Sequence, residues 1–327
     1  GLGRERERIL VRTGLGGERA LALIEGIEWI QEAPELTRRN NTTRWVAQSN
    51  VSNQTTLWDQ GLHGEGQIIG HIDGPIYYKS CFFNDPSQEV PGPDHRKIVA
   101  YRGYASTSEA HGTHTAGTLA GEPSSGGGAM GYSGVAYRAK ISHTDIGGIS
   151  GVNGSPSNLY GFLAAAHQDG ARVHTNSWGD DGTGAYTPLV RDVDLFSYDH
   201  EDALVIFAVS NGRYVRAPEN AKNVLAVGAS LNGLAANEHC SGGTGPSDDG
   251  RRKPEIFAPG CGIESALNRT LCDTTGSSGT SMAAPAVTAA AALVRQYFEE
   301  GWYPTGARRT TDVVHPSGAL VKAILLN

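Results

Sequence analysis

From Gly64 onward the chain alternates short, nearly unbroken apolar runs with longer segments of helical spacing. That alternation constrains the fold more than any other feature. "GQIIGHID" reads as a strand ending in an acid, "HGTHTAGTLAG" as a helix, "AKISHTDI" as a strand and "LYGFLAAAHQDG" as a helix closed by Gly170. The pattern continues through "ARVHTNSWG" (strand), "PLVRDVDLFSYDHED" (helix), "ALVIFAVSN" and "KNVLAVGAS" (strands). A long helix from Ser281 to about Phe298 follows, then a last one, "ALVKAILL". Strands that are apolar throughout need cover on both faces. The expected fold class is therefore α/β: a mostly parallel central sheet between two helical layers. Ligands of such sheets bind at the carboxyl ends of the strands. Asp73 and Asn211 fall where strands end, and His111 and Ser281 where helices begin.

The stretch "GSSGTSMAAPAVTAAAALV" from Gly276 to Val294 places small residues before an alanine-rich helix, with Pro285 near its start. A helix built only for packing would carry larger apolar side chains and no proline so early. Ser281 therefore reads as presented, beside helix N–H groups that have no intrahelical partner and favour negative charge. Serine becomes a nucleophile only when a base takes its proton and a third group fixes the base's tautomer. His111 and His114, in "EAHGTHTAGTLAG", open a helix at spacing i, i+3, which could also suit a metal. A zinc site would need a further ligand and usually the Glu of an HExxH frame, and that frame is absent. Asp73 precedes Gly74-Pro75, and Asn211 precedes Gly212; each alone is an ordinary turn signal. In a site, Asn211 would be an amide donor to an oxyanion.

Taken in order, Asp73, His111, Asn211 and Ser281, with "HGTHTAGT" and "GTSMAAP" around the histidine and the serine, resemble the subtilisin-like serine proteases from about Gly61 to the end. The order of the three triad residues in that family is itself a known signature. The resemblance implies Asp73 orienting His111, His111 as general base and acid, Ser281 as nucleophile, Asn211 with the Ser281 N–H as oxyanion hole, and His114 as a structural histidine. "ARVHTNSWG", "GAY" and "RRKPEIFAPG" look like the KP-43-like alkaline protease branch, whose members often carry a following β-sandwich domain. Ser177-Trp178-Gly179 and Ala208-Val209-Ser210 match the two walls that hold the substrate, the first as an added strand. The chain departs from the family at Asp73-Gly74-Pro75, where Asp-Ser/Thr-Gly is usual, at Ala286 in place of histidine, and at Ser210 in place of glycine. A short stretch from Asn211 to Pro218, carrying Tyr214, Val215 and Arg216, prevents the P1 preference from being transferred.

The resemblance implies a serine endopeptidase acting on polypeptide, expected to be monomeric and secreted or extracytoplasmic. Two alternatives share its residues: a peptide ligase or cyclase, and a catalytically dead binding relative. No cofactor is required; structural calcium is common in the family, and Asp180, Asp181, Asp248 and Asp249 are acidic loop residues with no assigned metal site. Net charge is −7 with no basic run, which excludes a nucleic-acid surface. No apolar stretch is long enough for a membrane span. The chain has 44 glycines, spread without a period, as a globular fold with many tight turns would. Residues 1–60 read as an N-terminal extension or prodomain tail and linker: "ERALALIEGIEWIQEAPEL" as a helix then a strand, "TRRNNTTRWVAQSNVSNQTT" as a linker or extended arm. The catalytic domain is expected over 61–327. Among the N-x-S/T sequons are Asn40, Asn41, Asn50, Asn53 and Asn268. Four cysteines without a CxxC allow two disulfides, with Cys261–Cys272 closing a short loop, or else buried thiols.

Overall fold

The apolar runs form strands β1 (Ile68–Asp73), β2 (Ile98–Arg102), β3 (Lys140–Asp145), β4 (Val173–Asn176), β5 (Leu204–Ala208) and β6 (Leu225–Ser230). Three short strands, β7 (His239–Ser241), β8 (Ile256–Pro259) and β9 (Ile263–Ala266), follow, and β9 pairs antiparallel with β10 (Thr274–Ser277). This computed structural model describes residues 14, 16–27, 40–103, 110–124, 126–146 and 158–327. Among them the main sheet runs β2-β3-β1-β4-β5-β6-β7, with β8 also on β6. Every pairing in it is parallel except β6 with β7.

The chain separates into two compact units, Gly1–Arg38 and Arg39–Asn327. In the first, α1 (Gly17–Leu21) is the helical part of the expected helix-then-strand segment; the strand falls beyond residue 27, outside the described residues. In the second unit, α2 (Asn40–Val46) stands where an extended arm was expected. Its polar sequence hides two anchors, Thr43 at 0% and Trp45 at 3% exposure, and α2 lies beside β9. Tertiary burial overrides local propensity there. A short helix, α3 (Thr56–Asp59), precedes the sheet.

Helices cover both faces. On one lie α4 (His111–Ala120), α7 (Thr280–Glu299) and α8 (Gly318–Leu326), packed over Ile69, Ile141, Ile206 and Val227. On the other lie α5 (Leu159–Gln168) and α6 (Pro188–Asp199), packed over Ile72, Val205, Phe207 and Ala226. Neighbouring residues Val205, Ile206 and Phe207 thus point to alternate cores, as the two-residue strand period requires. The three-layer α/β expectation holds. The alanines of α7 (Ala283, Ala284, Ala289, Ala291, Ala292) let that helix lie close to the sheet.

The cysteines pair as Cys81–Cys272 and Cys240–Cys261, not as Cys261–Cys272. The reason is topological. Strands β7 and β8 both pair with β6, which brings the chain near Cys240 and the chain after β8 together. Cys272, at the turn of the β9–β10 hairpin, is left to reach Cys81, in the loop that precedes β2.

Candidate active site

β1 ends at the carboxyl edge of the sheet in Asp73, which is 2% exposed. Its Oδ1 accepts the Gly74 N–H at 2.7 Å and lies 2.6 Å from His111 Nδ1. His111 opens α4, and its side chain is 35% exposed, so the imidazole spans from buried carboxylate to solvent. The helix comes so close to the β1 turn that a Cβ at Gly112 would collide with the Gly74 carbonyl. Burial pushes the Asp73 carboxyl up, but the His111 charge and hydrogen bond outweigh it and hold it below the ordinary carboxylate value.

The other carboxylate oxygen is served by residues that the sequence did not single out. Thr115 Oγ1 is 3.2 Å from Asp73 Oδ2 and 2.9 Å from His71 Nε2, and His71 Nδ1 is 2.9 Å from His143 Nδ1. One set of tautomers lets every contact carry one proton: His143 donates to His71, His71 to the Thr115 hydroxyl, and that hydroxyl to Asp73. Burial drives His71 down to about 4 and His143 well below the usual imidazole range, so both rings stay neutral at pH 7. Thr115 thereby supplies the hydroxyl that Gly74 lacks beside the aspartate. Helical spacing from His111 (i+4) and strand spacing from Asp73 (i−2 for His71) were the sequence signals that could have found them.

Ser281 stands in the first turn of α7, behind the N-cap Gly279, whose φ of 148° is glycine territory. Pro285 cannot donate to the Ser281 carbonyl four residues back. Ser177 Oγ donates to that carbonyl instead, at 2.9 Å, and Ser281 Oγ donates to the Ser177 carbonyl at 3.1 Å. The proline therefore creates the vacant acceptor through which β4's carboxyl end is tied to the serine. Asn211 Oδ1 accepts from the Thr280 N–H at 3.0 Å and the Thr280 hydroxyl at 3.2 Å. With its oxygen so held, the amide must turn its Nδ2 donors away from Thr280.

Ser281 and Thr280 form one side of a cleft of about 110 Å³. Its walls are Ser177-Trp178-Gly179 and Ala208-Val209-Ser210-Asn211, the segments expected to hold substrate. Asp181, weighed in the sequence only as a calcium candidate, lines it too. The Trp178 ring meets Phe207 edge-on, with centroids 5.2 Å apart. His114 points elsewhere: its Nε2 sits 3.1 Å from both the Ile263 and Thr275 carbonyls, fastening α4 to the β9–β10 hairpin.

Of the other acidic loop residues, Asp180 holds the Gly182 N–H at 2.9 Å and Asp249 is paired with Arg251 at 2.9 Å. Among the described residues, the histidine and carboxylate atoms that converge as metal ligands would are those of His167, His200 and Asp202, within 4.8 Å of one another. There Asp202 is already bound by His167 at 3.0 Å and Arg172 at 2.6 Å.

Residues 64–327 match the profile of the Subtilase family. In an alignment of 375 positions that covers 82% of this chain, it is 28% identical to the serine protease/ABC transporter B family protein tagD of Dictyostelium discoideum, covering 20% of that protein. An alkaline protease of Alkalihalobacillus alcalophilus is 29% identical over 85% of this chain and 66% of its own length. The chain thus spans about a fifth of the length of the Dictyostelium relative. A cold adapted subtilisin-like serine proteinase shares the fold at a TM-score of 0.53 and 21% identity, over 81% of this chain and 82% of that one.

Proposed function

Because the chain belongs to the subtilase family, we propose that it is a serine endopeptidase with Asp73, His111 and Ser281 as its catalytic residues. Asp73 fixes the His111 tautomer with the proton on Nδ1, so Nε2 is the basic nitrogen. When Ser281 Oγ turns from the Ser177 carbonyl toward His111, its proton passes to Nε2 as the oxygen attacks a peptide carbonyl. Asn211 Nδ2 and the Ser281 N–H then donate to the developing oxyanion. His111 returns the proton to the leaving amine, and a water that it deprotonates hydrolyses the acyl-enzyme. No cofactor is needed for any of these steps, and all the groups come from one chain.

The observation that carries this reading is the 2.6 Å contact between the buried Asp73 carboxylate and His111 Nδ1. A carboxylate with one oxygen on the imidazole and the other on a hydroxyl is held in a single orientation. The substrate is an extended peptide lying along Ser177-Trp178-Gly179 as an added strand, with a side chain in the cleft beside Ser281. The 35% exposure of His111 leaves water access to the acyl-enzyme, which favours hydrolysis over transfer to a second peptide. Two disulfides suit an oxidising, extracytoplasmic setting. Residues 1–60 are read as an extension to the catalytic domain of 61–327.

The test is digestion of a denatured protein or peptide library, read by mass spectrometry with a competing amine present. New carboxylate termini, absent with Ser281→Ala, are expected. Intact peptides would refute the peptidase, and amide-linked products would make it a transferase.

A further inference from the structure

The cleft beside Ser281 has an acid on its surface and a second one behind its wall. Asp181 lines it and is exposed. Glu219 is 1% exposed, and its Oε1 accepts the N–H of the wall residue Ser210 at 3.0 Å and of Arg216 at 2.6 Å. Its Oε2 is buried and has no hydrogen-bond partner among the described residues. That orphan oxygen faces the opposite wall: a Cβ built on Gly179 would lie 3.3 Å from it. Glycine at 179 is what lets the carboxylate press against the cleft lining. The Asp180 N–H donates to the Ala217 carbonyl at 2.7 Å, so the two acid-bearing segments run side by side.

A buried carboxylate oxygen without a donor is costly, and a second negative charge nearby makes it costlier. Burial pushes the Glu219 carboxyl above its ordinary value, and Asp181 pushes it the same way, so the two acids feel each other. Among the described residues, none that lines the cleft is basic. The nearby Arg213 and Arg216 guanidiniums lie over the Tyr214 ring, at 5.7 and 5.4 Å from its centroid. The cleft's two acids therefore present negative charge that no described lining residue balances. Under the serine-peptidase reading, the side chain that enters belongs to the residue whose carbonyl meets Ser281 and Asn211. Trp178 offers an apolar surface along which a long aliphatic stem could lie while its charged end reaches the acids.

We propose that Asp181 and Glu219 set the specificity of this cleft for a cationic side chain, so that the enzyme cleaves after Lys or Arg. Asp181 meets the cation at the cleft surface. Glu219 lies behind both walls, against Gly179 on one and the Ser210 N–H on the other, and acts from there as a poorly screened carboxylate that the entering cation keeps ionised. The proposal rests on the peptidase reading and adds the class of substrate to it.

The experiment compares fluorogenic peptides that differ only in this residue: Arg, Lys, norleucine, and citrulline, which keeps the shape of Arg without its charge. The expected kcat/KM for Arg exceeds that for citrulline by more than about tenfold, the scale of a charge-assisted hydrogen bond. Glu219→Gln and Asp181→Asn each narrow that ratio by about fivefold or more. A wild-type ratio near one, or a ratio that neither variant moves, overturns the proposal. Asp181 is exposed, so its variant and the wild-type ratio decide the matter even where Glu219→Gln does not fold. Turnover with no charge preference refutes the specificity alone. No turnover of any peptide, together with no fluorophosphonate adduct on Ser281, refutes the peptidase and the specificity with it.

Discussion

Acid should unfold this protein through its buried histidines. His71, His114 and His174 are 1%, 2% and 0% exposed, and burial drives them from 6.5 to about 4, about 4 and about 3. His174 lies 5.1 Å, ring to ring, from Phe196, and neither of its nitrogens has a hydrogen-bond partner among the described residues. The folded pKa lies below the unfolded one, so between them the unfolded chain binds more protons and stability rises with pH. Each ring's contribution is fully present above pH 6.5 and is lost as pH falls toward the folded value. From pH 8 to pH 5 the loss is about 2 kcal/mol per histidine, or about 6 kcal/mol for the three. That is a large share of a typical stability of about 5–15 kcal/mol. The assay is urea unfolding at both pH values in a Ser281→Ala background, which removes autolysis. His174→Leu should shrink the pH 8 to pH 5 loss by about 2 kcal/mol, since its packing change cancels between the two pH values. A loss below about 1 kcal/mol in the parent, or an undiminished loss in His174→Leu, would refute the reasoning.

Other outcomes follow from the same contacts. Asn211→Ala should lower kcat by about 10²–10³-fold while KM changes little, because its donor serves only the oxyanion; a KM effect alone would contradict this. Thr115→Val should lower kcat by about tenfold with KM nearly constant, and Thr115→Ser should restore it, since the hydroxyl is what Asp73 and His71 use. Serine and valine variants of equal activity would remove Thr115 from the positioning of Asp73. Removing Cys81–Cys272, which spans 191 residues, should cost about 5 kcal/mol, against about 3 for Cys240–Cys261, which spans 21. Equal losses by urea unfolding would show that loop length does not govern their effect.

The layered sheet was legible because its strands carry their own signal: "IIGHID", "LVIFA" and "LAVGAS" are apolar on both faces and need both helical layers. The serine end of the site was legible because "GTSMAAP" writes local geometry into sequence: a glycine cap, a presented hydroxyl and a proline that frees a carbonyl. What escaped depends on long-range neighbours. Thr43 and Trp45 make α2 a docked helix, and polar neighbours disguise them. Cysteine spacing allowed the short 261–272 loop or free thiols, whereas the edge strands on β6 bring Cys240 to Cys261. His71 reads as one polar residue in a buried strand, and its contacts come from helix α4 and strand β3. Glu219 carries no motif of its own, and the pairing of Asp180 with Ala217 and its bond to the Ser210 N–H set it against the cleft.

The most direct test of the central claim is the rate at which a fluorophosphonate probe labels the chain, mapped to residues by mass spectrometry. The account predicts one adduct, on Ser281, formed at least about a thousandfold more slowly in His111→Ala and markedly more slowly in Asp73→Asn. An adduct at another residue, no adduct, or labelling equally fast in both variants would contradict it.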